Sequence, residues 1–72
     1  MVRSIIEVKE RLERLKQNFD IIKNEQGKSN ITIMMNTLEE YINNPSLDLD
    51  YLIDNSTGQR KQTLKWIARI AE

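Results

Sequence analysis

The chain has no cysteine and no histidine. The first absence rules out disulfides and thiolate metal sites; the second removes the commonest metal ligand and the side chain that titrates near neutrality. No Ser-His-Asp or Cys-His arrangement can be assembled, and acid-base work would fall to carboxylates, lysines or tyrosines, so a non-enzymatic role without metal or cofactor is expected. One proline and two glycines in 72 residues leave few chain breakers. Aromatic residues are equally sparse, with one Trp, two Tyr and one Phe. No run approaches the roughly 20 apolar residues of a membrane span, and the N-terminal residues lack a secretory signal pattern. A cytoplasmic protein, not associated with a membrane, is the expectation. A chain of this size makes one thin-margined domain, which buries only about 60% of its unfolded surface.

What remains is charged and helical in pattern. Ten Ile, seven Asn and six Lys against two Ala point to an AT-rich genome, such as that of a low-GC bacterium or its phages and plasmids. The formal net charge is zero but segregated: residues 1–29 carry seven basic and five acidic side chains, 30–55 none and five, and 56–72 four and one. The differences are +2, −5 and +3. Either the segments neutralise one another on packing or one of them faces a charged partner.

Ser4 with Glu7 reads as a capping box opening a first helix at about 5–25. Ile5, Val8, Leu12, Leu15, Phe19 and Ile22 then recur at steps of three and four, filling every a and d position of three heptads. Gly27 offers the left-handed position that ends helices. With Ile5 as a, the e positions are Lys9, Lys16 and Lys23, and Arg11 sits at g. Like charges would meet in a self-pair, so the seam favours a partner helix with acidic flanks over its own copy. The chain's own segment from Leu38 to Asp54 is the first candidate.

A second helix at about 30–43 is expected, capped by Ser29 or Asn30 and carrying Ile31, Met34, Met35, Leu38, Tyr41 and Ile42 on one face. Pro45 ends it near Asn43, because the residue before a proline is driven out of the α region. Leu47 to Asp54 alternates like a strand, but no second strand exists to pair with it. It reads instead as a short helix near 46–54, begun by Asn44 or Ser46, with Asp48 near the positive end of the dipole. Ser56 with Gln59 reads as a second capping box for a last helix at about 57–71, with Leu64, Ile67, Ala68 and Ala71 as its buried stripe. The sum is an all-α fold, a compact antiparallel bundle of three main helices and one short one. Its expected core is Val8, Leu12, Leu15, Phe19, Met34, Leu38, Ile42, Leu52, Leu64 and Ile67.

Three surfaces could carry function. Trp66 and Ile70 form a second apolar line on the last helix, more than one core needs, and with Tyr51, Asp48 and Asp50 they are candidates for binding another protein. Arg60, Lys61, Lys65 and Arg69 form a basic line, with Trp66 nearby for stacking, that could grip nucleic-acid phosphates. Asp48, Asp50 and Asp54 superficially have calcium-loop spacing, but the glycine and terminal glutamate of such a loop are missing. Pro45-Ser46-Leu47-Asp48 and Leu49 to Ile53 slightly resemble helix openings of phage-repressor-type helix-turn-helix domains. The turn such domains need is absent from Thr32 to Asn43, so no DNA-contacting residue follows from the likeness. The leading expectation is a small regulatory or inhibitory protein, phage- or mobile-element-encoded. It would act through a helix face on a repressor, polymerase subunit or defence protein. A nucleic-acid-binding regulator is the alternative, and a homo-oligomeric adaptor the third reading.

Overall fold

The computed structural model describes the backbone of residues 2–71 and the side chains of residues 5–70. It contains four helices and, among the described residues, no strand: α1 (Val2–Phe19), α2 (Glu25–Asn43), α3 (Leu49–Asp54) and α4 (Gly58–Ala71). α1 packs on α2, α2 on α4 and α1 on α4, while α3 lies along α4 and sends Leu49 against the core cluster. The all-α bundle of three main helices and one short one is therefore the fold. No helix of the described residues is long and apolar enough to cross a membrane.

The seam of α1 faces inward. Val8, Leu12 and Leu15 join Leu38, Tyr41 and Ile67 in one buried cluster, with Ile5 and Ile70 packed at its edge. Leu64 is fully buried as well. Burying one such aliphatic side chain contributes about 1.5–3 kcal/mol, so these few residues dominate the stability of a chain this small. The partner helix for the seam is thus supplied by the chain itself. Phe19, Met34, Ile42 and Leu52 are only half-buried, and Tyr41 takes a core place instead.

The boundary between the first two helices differs from the reading above. α1 already includes Ser4, whose side chain lies outside the described residues, so Ser4 is not its cap. The helix stops at Phe19, and the amides of Ile21 and Ile22 both bond back to the carbonyl of Asn18, at 3.1 and 3.3 Å. Asn24, not Ser29 or Asn30, caps α2: its side-chain oxygen accepts from the amides of Gln26 (2.7 Å) and Gly27 (3.2 Å). Glu25 follows in the first turn, where a carboxylate meets the positive end of the dipole.

Gly27 therefore lies inside α2 and does not end α1. A Cβ there would stand 3.0 Å from Cγ2 of Ile22, so this glycine allows Ile22 to fold back over the first turn of α2. The ammonium of Lys28 sits 5.6 Å from the centre of the Phe19 ring and closes the same corner. The left-handed glycine is Gly58, with φ of 60°, at the start of α4.

Pro45 acts as expected, and α2 ends at Asn43. α3 is helical but begins later than 46: Asp48 is its cap and accepts from the amide of Tyr51 at 3.1 Å. Asn44 instead closes a turn by accepting from the amide of Ser46. The carbonyl of Thr57 accepts from the amide of Lys61 at 3.4 Å, which puts Thr57 rather than Ser56 at the cap of α4. The side chain of Ala71, expected in the buried stripe, lies outside the described residues. Buried Thr37 and Thr63 return their hydroxyls to the carbonyls four residues back, Ile33 (2.8 Å) and Gln59 (2.9 Å), which satisfies them inside the bundle.

Candidate functional site

α4 turns three faces to its surroundings. Leu64 and Ile67 point into the bundle. Trp66 and Ile70 are half-buried and pack against the edge of the core, so the bundle itself takes up part of the second apolar line of α4. Trp66 is held from the other side by Arg11 of α1, whose guanidinium carbon lies 4.8 Å from the indole centre. Beside this pair, Met34 of α2 and Gln59, Gln62 and Thr63 of α4 complete a groove of about 180 Å³.

Arg11 is the residue that sequence reasoning missed. As a g position it reads as one more surface cation, and no periodicity within α1 can reveal that its neighbour is an indole on α4. The described ion pairs lie elsewhere, at Lys16–Glu13 (3.8 Å) and Arg60–Glu40 (2.8 Å).

The third face of α4 is basic. Lys65 and Arg69 are exposed and Lys61 is half-buried, but Arg60 is drawn off the line by its bond to Glu40 of α2. Of the four cations read as a phosphate-gripping line, three remain along it.

α3 presents the opposite charge. Tyr51 is 63% exposed, among the largest apolar exposures of the described residues. Asp50 and Asp54 are exposed on the same short helix, and neither has a cation within ion-pair distance among the described residues. Asp48 is also exposed, but its carboxylate is engaged in capping, so its first duty is to hold α3 together. Asn55 locks the other end by donating from Nδ2 to the carbonyl of Tyr51 at 2.8 Å. Both ends of this six-residue helix are thus capped.

The structure thus separates the residues proposed for partner binding into two places. Tyr51, Asp48 and Asp50 stand together on α3; Trp66 and Ile70 belong to the α1–α4 side. Among the described residues no three His, Cys, Asp or Glu side chains gather in a group able to hold a metal ion. No family model, curated protein or solved structure matches the chain.

Proposed function

We propose that this chain is a small non-enzymatic regulator, of phage or mobile-element type, that binds another protein through the exposed face of α3. The observation that carries this reading is Tyr51, left 63% exposed beside the carboxylates of Asp50 and Asp54, which have no ion-pair partner among the described residues. Tyrosine combines large contact area with few rotatable bonds, and it is among the residue types that dominate interface energies. The carboxylates speed encounter with a basic surface and reject an acidic one. Tyr51, Asp50 and Asp54 are exposed and none of them belongs to the core cluster, so a partner can cover them without disturbing the core.

The test is affinity capture from a low-GC bacterial lysate with the wild-type chain and with Tyr51→Ala and Asp50→Lys variants. The expected result is a basic protein retained by the wild type and lost from both variants, with circular dichroism unchanged. Equal retention by all three, or none by any, overturns the reading. A second reading, nucleic-acid binding, draws support from Lys65 and Arg69, which are exposed and without carboxylate partners among the described residues. It requires a gel shift at low salt that weakens steeply as salt rises and disappears when Lys61 and Lys65 become Glu.

A further inference from the structure

We infer that the groove between α1 and α4 is a carboxylate-binding site that seats one acidic side chain of a helical protein segment, with Arg11 as its anchor. The groove contains no residue of α3, so the inference stands apart from the function proposed above.

The Arg11 guanidinium carbon lies 4.8 Å from the centre of the Trp66 ring, a cation–π contact. Arg11 lines the groove beside Trp66, and its planar guanidinium carries five N–H donors in a fork that matches a carboxylate bidentately. The indole also fixes the side chain beforehand, which removes part of the entropy that a free surface arginine loses on binding. Arg11 has no carboxylate within ion-pair distance among the described residues, so the fork is not already filled.

The groove walls support the same ligand. The Thr63 hydroxyl is already committed to the Gln59 carbonyl. The side-chain amides of Gln59 and Gln62 line the groove without a side-chain partner among the described hydrogen bonds, and each brings two N–H donors to a carboxylate placed against Arg11. Met34 supplies an apolar surface for the aliphatic stem of a glutamate.

Size and charge exclude larger anions. At about 180 Å³ the groove lies below the roughly 300 Å³ at which small-molecule and cofactor pockets begin, and it suits a single side chain. Its lining carries one formal charge, whereas a nucleic-acid strand needs several cations tracking its phosphates. Gln59, Gln62, Trp66 and Arg69 follow one another at steps of three and four along α4, so a helix laid beside it could place a second carboxylate at Arg69 one turn after the first.

Trp66 is the chain's sole tryptophan, which makes its emission a direct reporter of the site. The probe is a capped Ala/Glu helical peptide with glutamates one turn apart, titrated against the full chain at low salt. The expected result is a saturable change in Trp66 emission that is absent with the matching Ala/Gln peptide. Arg11→Gln should weaken binding about tenfold, the effect of losing one charge-assisted contact at a partly exposed site, and Arg11→Lys should restore only part of it. Gln62→Glu, on an exposed helix position that leaves the core untouched, should weaken binding by repulsion. Tyr51→Ala should leave the titration unchanged, which keeps this test separate from that of the α3 surface. Equal response to both peptides, no response to either, unchanged affinity in Arg11→Gln and Gln62→Glu, or tighter binding of single-stranded oligo(dT) overturns the inference.

Discussion

Replacing Asn24 by Ala removes the side-chain oxygen that accepts from the amides of Gln26 (2.7 Å) and Gly27 (3.2 Å), and it leaves both first-turn donors of α2 to water. Losing an N-cap of this kind costs about 1 kcal/mol, within a range of about 0.5–2. A 72-residue domain is expected to have a total stability of about 4–11 kcal/mol, so the loss is a sizeable share of the margin. Converted to heat stability, it lowers Tm by about 4–8 °C. Far-UV circular dichroism melts, paired with urea titrations to check that the slope is unchanged, would measure it. Asn24→Asp keeps the acceptor and adds a charge favourable to the dipole, so it should match the wild type or exceed it. Ser29 lies exposed within α2, so Ser29→Ala should be neutral or slightly stabilising, since alanine is the better helix former. The Asn30 side chain accepts only an exposed bond from Gln26 Nε2 at 3.1 Å, worth a few tenths of a kcal/mol. If Ser29→Ala or Asn30→Ala proves costlier than Asn24→Ala, α2 does not begin at Glu25 and the corner is wrongly drawn.

Leu38→Ala empties a position 1% exposed at the centre of the cluster formed with Val8, Leu12, Leu15, Tyr41 and Ile67. It should cost about 2–5 kcal/mol in urea titrations, and a loss under about 1 kcal/mol would mean that the core is elsewhere. The two glycines should part company on replacement by alanine. Gly58→Ala meets open space but forces a φ of 60° on an L side chain, costing about 1–2 kcal/mol. Gly27→Ala gains about 1 kcal/mol of helix propensity and loses part of it because its Cβ would stand 3.0 Å from Cγ2 of Ile22, a branch methyl that must give way by a few tenths of an ångström. Thermal melts that rank Gly27→Ala as the more damaging change would refute this account of the corner.

The element count was legible because its signals are local and mutually consistent. The apolar spacing from Ile5 to Phe19, the stop at Pro45 and the lack of any second strand beside Leu47 to Asp54 each admit one structural answer. The corner after α1 was not legible, because three residues within seven positions, Asn24, Ser29 and Asn30, are all good caps. Which one acts depends on where the chain must turn for α2 to cover Val8 and Leu12, a tertiary demand that outranks local propensity. Ile22 misleads for a related reason: it continues the heptad in sequence, but it contributes from the loop by folding over Gly27. Of the candidate surfaces, the exposed carboxylates and Tyr51 follow from composition and spacing. The Arg11–Trp66 contact joins residues 55 positions apart on different helices, and no pattern within either helix records it.

The segregated charge now has a more definite meaning. If the acidic middle and the basic ends neutralised one another on folding, contacts between them would be frequent, yet among the described residues Arg60–Glu40 alone joins the two segments. Asp50 and Asp54 on α3 and Lys65 and Arg69 on α4 keep their charges at the surface. α3 packs on α4, so the two charged groups belong to neighbouring elements. A long polyanion approaching Lys65 and Arg69 would therefore also meet the carboxylates of α3, and the repulsion would offset part of what the cations contribute. A folded protein can present unlike charges on one surface and match both. If the chain binds another protein as proposed, charges of both signs on α3 and α4 would penalise a long polyanion relative to a folded surface, which is specificity obtained by disfavouring the wrong ligand as well as attracting the right one.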